Sequence, residues 1–292
     1  MNVLVSSNNK FLKPLVTSLY SLALNTNERS INVYFINVSV DKKKLKWLLK
    51  IIKKIKKINI IIINIDIGIL SNLKLKNHFS VETYSRLLLT KVLPKKMDRI
   101  LWLDADTIIH NNIDELYCMD LEGYSMLACK SINQNDMEIR KNLKLDDNQL
   151  YFNAGIILFN LEYIRNNFND DFLIDYAIKN NGSLKWLDQD VLNAQLGKTA
   201  KIIDYKKYNY MHFNGTNFSS EEKEYISNSN CIIHYIGAVK PWHYKYTCYT
   251  FSFWKKYAMK SGVYSKLFFV KNAFFHNLYV TYGKILKNRG AF

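Results

Sequence analysis

An apolar run, Ile100-Leu101-Trp102-Leu103, ends abruptly in two carboxylates one residue apart, Asp104 and Asp106. A short strand with no polar face has to be covered on both sides, which calls for a sheet sandwiched between helices. The chain before it supplies such a pattern. Val3 to Val5 reads as a first strand, followed by the loop Ser6-Ser7-Asn8-Asn9 and a helix from Phe11 to Leu24. Ile31 to Val38 and Ile58 to Ile65 read as further strands, and His78 to Val92 as a helix before the strand Arg99 to Leu103. Strands alternating with helices at this spacing predict an α/β fold with a mostly parallel sheet. No G-x-G-x-x-G follows the first strand and no G-x-x-x-x-G-K-[ST] occurs, which argues against dehydrogenases and P-loop NTPases.

The 292 residues are enough for one large domain or a domain with an appendage, and 14% aromatic content excludes general disorder. Cys118, Cys129, Cys231 and Cys248 form no C-x-x-C pair, so neither a zinc ribbon nor a disulfide scaffold is expected. No run of 18 apolar residues is present, and the start lacks the features of a signal peptide. These features lead to the expectation of a cytoplasmic protein.

At the carboxyl end of an open α/β sheet, where ligands bind, period-2 geometry points Asp104 and Asp106 the same way. Two such carboxylates either share a divalent cation or include a helix-capping Asp. Three further blocks follow: Tyr151-Phe152-Asn153-Ala154-Gly155, Trp186-Leu187-Asp188-Gln189-Asp190, and His234-Tyr235-Ile236-Gly237-Ala238-Val239-Lys240-Pro241-Trp242. His234 ends the apolar strand Cys231-Ile232-Ile233. It is read either as a satisfied core histidine or as a third metal ligand beside phosphate-binding groups.

In order and spacing these four blocks resemble glycosyltransferase family 8, the retaining enzymes that include bacterial lipopolysaccharide galactosyl- and glucosyltransferases and glycogenin. The resemblance covers roughly residues 1 to 245. It implies a Rossmann-like GT-A fold and a UDP-sugar donor, with Mn²⁺ (or Mg²⁺) held by Asp104, Asp106 and His234. It further implies donor contacts at Asn8, Arg86, Asp104, Ala105, Asn153, Ala154, Gly237 and Lys240. Asp188 and Gln189 would sit at the donor sugar, Gln189 facing the anomeric carbon as nucleophile or as stabiliser of an oxocarbenium-like state. Asp190 is read as capping or structural. The implied reaction is transfer of galactose or glucose, with α-linkage, to an acceptor of a bacterial surface polysaccharide, lipo-oligosaccharide or glycoprotein. Lys130-Ser131 stands where the galactosyltransferases commonly carry an Asp, so the sugar stays open. A catalytically inactive partner of another glycosyltransferase is the alternative, and a basic nucleic-acid-binding protein a weaker one that leaves the four blocks unexplained.

The net charge of +16 is concentrated in two places. Residues 41–58 carry nine Lys and one Asp, with Leu45, Leu48, Ile52 and Ile55 at helical spacing, either a core-facing stripe or a basic surface. Beyond Glu224 no acidic residue occurs, while nine Lys and Arg289 do. Residues 249–292 interleave Phe251, Phe253, Trp254, Tyr257, Phe268, Phe269, Phe274, Phe275, Tyr279 and Tyr282 with lysines. The expected layout is therefore a catalytic domain, 1–248, and a basic aromatic helical extension, 249–292. That extension either packs on the domain or lies on an anionic membrane surface, which would place the protein at the inner face of the cell membrane near a lipid-linked or protein-linked acceptor.

Overall fold

The computed structural model describes residues 1–70, 73, 81–133 and 135–288, with only the backbone described at 67, 69 and 282–288. Seven strands, β1 (Asn2–Ser6), β2 (Ile31–Asn37), β3 (Ile58–Asn64), β4 (Arg99–Leu103), β6 (Met126–Lys130), β7 (Phe152–Asn160) and β8 (Ala200–Ile203), form one sheet in the order β3-β2-β1-β4-β7-β6-β8. All run parallel except β7, which pairs antiparallel with both β4 and β6. Val3, Leu4, Val5 and Ile100 to Leu103 are buried, as their unbroken apolar character requires. A smaller sheet, β5 (Thr107–Ile109), β9 (Tyr210–His212) and β10 (Ile232–Tyr235), ordered β5-β10-β9, begins where β4 ends. Asp104, Ala105 and Asp106 are the link between the two sheets.

The expected strands and the first helix, here Leu12–Leu24, occur within a residue or two of their predicted bounds. In the lysine-rich segment the helix is Lys42–Ile52, started by Asp41, whose side chain accepts from Lys44 N at 2.8 Å. Leu48 and Ile52 are buried under it and Lys42, Lys43, Lys44, Lys46 and Lys50 face solvent, the core-facing stripe reading. Residues 78–80 of the expected His78–Val92 helix lie outside the described residues. The rest is a 3₁₀ run, Val81–Leu88, closed by one α turn, Leu89–Val92, before Pro94.

The C-terminal segment divides in two. In the helix Phe251–Lys260, Trp254, Tyr257 and Ala258 are buried in the same core as β1 and the first helix, together with Tyr264 beyond it, while Lys255, Lys256 and Lys260 point outward. Asn25 Nδ2 donates to Tyr257 Oη at 2.9 Å. Packing on the domain is thus the arrangement of this first helix. The second helix, Lys266–Asn288, is fastened by Asn272 Nδ2 donating to Trp242 O at 3.2 Å and by Tyr244 against the rings of Phe275 and Tyr279. Its far side carries Leu267, Val270, Phe274 and Leu278, each 52–65% exposed, beside Lys266 and Lys271. Arg289 lies outside the described residues. Among them, no helix is long and apolar enough to cross a membrane.

His212 joins the small sheet to this segment. Its Nε2 lies 2.8 Å from Tyr246 Oη and 2.6 Å from Thr250 Oγ1, and burial pushes the imidazole down to about 4. The unfolded chain therefore binds the proton more readily, and this group's stabilisation is full above its ordinary value near 6.5 and is lost as pH falls towards 4. The stability gap between wild type and His212→Asn, read from denaturation midpoints, is expected to narrow by up to ~3 kcal/mol between pH 7.5 and 4. A gap that does not change with pH overturns this.

Candidate active site

The cluster is assembled by strand register. Leu103 pairs with Ile156, so the carboxyl end of β4 lies against the middle of β7, and Asp104 N donates to Gly155 O at 2.8 Å. Thr107 pairs with His234, which brings β10's histidine beside the two aspartates. His234 Nε2 is 3.3 Å from Asp106 Oδ1 and 3.9 Å from Asp104 Oδ2. One ligand atom from each of Asp104, Asp106 and His234 lies within 4.8 Å of the others, the one such group of three His, Cys, Asp or Glu among the described residues. Two carboxylate oxygens and an imidazole nitrogen suit a divalent ion such as Mn²⁺. His234 Nδ1 is engaged with Asn209 Oδ1 at 2.9 Å, so Nε2 is the nitrogen turned towards the carboxylates.

Internal cations hold the carboxylates in place. Lys240 Nζ donates to Asp106 Oδ2 and to Tyr235 O, both at 2.6 Å. Burial pushes the Asp106 carboxyl up, but Lys240 and His234 together outweigh it and hold it well below the usual carboxylate range. Arg86, on the 3₁₀ run, stacks 4.1 Å from the Trp102 ring. Its Nη2 donates to Asp104 Oδ1 at 2.9 Å, its Nη1 to Ala154 O, and its Nε pairs with Asp188 Oδ2 at 2.7 Å. Trp102 Nε1 donates to the same Asp104 oxygen at 2.8 Å. Asp188 is fully enclosed; burial, reinforced by Asp104 and Asp190, pushes its carboxyl up to about 7 despite Arg86.

Gln189 sits in the first turn of the helix Asp188–Leu196. Its Oε1 accepts from Asn153 Nδ2 and from Ala154 N, both at 3.0 Å, and its Nε2 donates to Tyr151 Oη at 2.9 Å. Both lone pairs of that oxygen are engaged, which suits a held, orienting amide better than an attacking nucleophile. Tyr151 Oη donates to Asp190 Oδ1 at 2.6 Å, and Asp190 Oδ2 accepts from Lys185 N and Trp186 N. Asp190 is therefore the structural carboxylate, and it braces the turn in which Leu187 adopts φ +51°. A positive φ at a bulky residue costs on the order of 1–3 kcal/mol and persists because its surroundings hold it.

Asn8 is half-buried in the loop after β1, where its Oδ1 accepts from Lys10 N at 3.0 Å and Phe11 N at 3.3 Å. Gly237 takes φ +82° two residues after β10, and a Cβ there would meet Phe213 at 2.8 Å. Ala105 is half-buried between the two aspartates. The sequence reading gave no role to Asn209, Trp102 or Tyr151. Trp102 and Tyr151 stand inside recognised blocks, whereas Asn209 has no local pattern to mark it.

A Cβ on Gly155 would lie 2.3 Å from His234 Cε1 and 2.9 Å from Nδ1. Gly155→Ala must displace the imidazole, because the backbone is pinned between strands. We expect a stability loss of about 1–3 kcal/mol at unchanged denaturant slope. A denaturation midpoint equal to wild type contradicts this packing.

The pattern of the family described as "Glycosyl transferase family 8" matches residues 2–246. A lipopolysaccharide 1,2-glucosyltransferase of Escherichia coli is 28% identical over 264 residues, spanning 84% of this chain and 77% of that protein. A lipopolysaccharide 1,3-galactosyltransferase of Salmonella typhimurium is 30% identical over 197 residues, spanning 63% of this chain and 56% of that protein. Among solved structures, galactosyltransferase LgtC in complex with donor and acceptor sugar analogs superposes with a TM-score of 0.78 at 18% identity, covering 93% of this chain and all of that one.

Proposed function

The chain belongs to glycosyltransferase family 8 and is a glycosyltransferase of GT-A fold; from that premise we propose that it moves galactose or glucose, with retention, from a UDP-sugar to a saccharide acceptor of the bacterial surface. The observation that carries this reading is the convergence of Asp104, Asp106 and His234 on one point at the sheet edge, with Gln189 linked to it through Asn153 and Asn209. Asp104, Asp106 and His234 would hold the divalent ion, which when bound supplies charge neutralisation at a departing diphosphate. The relatives include both a glucosyl- and a galactosyltransferase, so the donor sugar is a matter for assay.

The chain's own groups divide the work. Asn8, Ala105 and Asn153 contact the nucleotide and sugar, and Arg86 steadies Asp104 and Asp188 while stacked on Trp102. Lys240 and the Gly237 backbone take the phosphates, Lys240 exchanging Asp106 for a phosphate oxygen. Gln189, with its carbonyl engaged, orients the sugar, and the acceptor hydroxyl attacks on the face that the diphosphate leaves, passing its proton to the departing diphosphate oxygen. The exposed stripe Leu267, Val270, Phe274 and Leu278, with Lys266 and Lys271, is the surface we assign to an anionic membrane leaflet, near a lipid-linked acceptor.

The test is UDP release from a panel of UDP-sugars with Mn²⁺ and with EDTA, followed by mass analysis of the product. Mn²⁺-dependent release from one sugar is the expected result and identifies the donor. Release that EDTA leaves untouched overturns the metal assignment. No release from any sugar, together with no calorimetric heat for UDP and Mn²⁺, overturns the reading as an active enzyme.

A further inference from the structure

One hydrogen-bonded chain runs through buried and half-buried side chains behind the cluster. His234 Nδ1 meets Asn209 Oδ1 at 2.9 Å, and Asn209 Nδ2 donates to Asn153 Oδ1 at 2.9 Å. Asn153 Nδ2 donates to Gln189 Oε1, Gln189 Nε2 to Tyr151 Oη, and Tyr151 Oη to Asp190 Oδ1. Amide orientation is normally ambiguous, because nitrogen and oxygen can exchange places. Here two main-chain donors remove the ambiguity. Ala154 N donates to Gln189, so the atom it faces is an oxygen, and Gly155 N donates to Asn153 at 3.0 Å, so that atom is an oxygen too. Asn209 must then turn its nitrogen to Asn153 and its oxygen to His234. It follows that His234 carries a proton on Nδ1, which leaves Nε2 as the nitrogen that faces Asp104 and Asp106 and is available to an ion.

We propose that Asn209, wholly buried between the short helix Tyr205–Tyr208 and β9, is the positioning residue that sets the tautomer and aim of His234 for the metal and couples them to the orientation of Gln189. The inference rests on the reading of Asp104, Asp106 and His234 as the ion-holding set. It goes beyond that reading by assigning a role to a residue that touches neither the ion nor, by this assignment, the sugar. The coupling has a physical basis: every link has one polarity, so a flip at either end leaves two acceptors or two donors facing each other inside the protein.

The first readout needs no metal and no substrate. In metal-free protein labelled with ¹⁵N-histidine, long-range proton–nitrogen correlation should show a proton on His234 Nδ1, and an Nδ1 without a proton overturns the proposal. The second is Mn²⁺ affinity in the presence of UDP, read from the electron-paramagnetic-resonance signal of free Mn²⁺. Asn209→Leu removes both links and is expected to weaken Mn²⁺ binding roughly 10- to 100-fold. Asn209→Asp keeps an acceptor for His234 but confronts Asn153 Oδ1 with a second acceptor. It should bind Mn²⁺ within about threefold of wild type yet lose about tenfold in kcat with KM little changed, the second effect travelling through Gln189. Wild-type Mn²⁺ affinity in Asn209→Leu overturns the proposal; if that variant does not fold, the wild-type tautomer and the Asp variant decide it. Wild-type protein that binds no Mn²⁺ overturns the underlying metal reading, an outcome distinct from a failed tautomer.

Discussion

Asp106→Asn is expected to lower Mn²⁺-dependent UDP release by roughly three orders of magnitude in kcat/KM, a loss near 4 kcal/mol of transition-state stabilisation. The carboxylate is the group on which Lys240 and His234 both converge, and they keep it ionised through the working pH range. An amide of the same shape removes an anionic ligand and turns either a poor donor oxygen or an N–H towards His234. Asp104→Asn should be nearly as damaging and also disturbs Trp102 Nε1 and Arg86, which share one Asp104 oxygen. Thermal melts must accompany the rates, since Lys240 loses its buried partner in Asp106→Asn. A folded Asp106→Asn enzyme with wild-type metal-dependent turnover would remove Asp106 from the ligand set.

The second large effect is on folding. Deleting residues 249–292 takes Trp254, Tyr257, Ala258 and Tyr264 out of the main core, and the chain is expected not to fold. Truncating one buried aromatic to alanine costs about 3–5 kcal/mol, and a domain's whole stability is about 5–15 kcal/mol. A chain ending at Asn272 keeps those residues, Phe268, Phe269 and the link from Asn272 to Trp242. It should melt within a few degrees of the full chain while sedimenting less with anionic liposomes, because Phe274 and Leu278 are gone from the exposed stripe; sedimentation of the full chain should weaken with salt. If the deletion of 249–292 melts like the full chain, the first helix has no part in the core. If the Asn272 truncation sediments with liposomes as fully as the whole chain, the membrane surface lies elsewhere.

How much of this could be read from the residues differs by element. The strand ending in Asp104 and Asp106 was legible because a run without polar residues has one environment open to it, a covered sheet. His234 was legible as one of two options, and the pairing of β5 with β10 sets it beside Asp104 and Asp106. Asn209 was not legible: Asn is ordinary after a short helix, and its importance arises from the pairing of β9 with β10, which sequence spacing does not encode. Lys240 looked like a phosphate ligand, and its contact with Asp106 across 134 residues has no local trace. In the C-terminal segment the aromatics drew the eye to a membrane. The helical spacing of Trp254, Tyr257 and Ala258, with Lys255, Lys256 and Lys260 on the other side, is equally that of an ordinary core helix. The reversed direction of β7 gave no advance sign, because a buried antiparallel strand has the same apolar run as a parallel one.

That reversal has a consequence for how such a chain can diversify. β6 and β7 are zipped from Lys130↔Phe152 onward, and Ser131 N donates to Tyr151 O at 2.9 Å, so the stretch 131–150 leaves and re-enters the fold at a clasped neck. Lengthening a loop whose ends are already held together costs little, about 0.6 kcal/mol for each doubling. Asn153 stands on β7, which the clasp keeps in register with β6, and Asp104 follows β4, the other neighbour of β7. Ile139 and Leu143 in that stretch are buried in the core, so it is around these two anchors, at the exposed positions, that the segment can be extended like an interchangeable tool head, with Asp104 and Asn153 left in place.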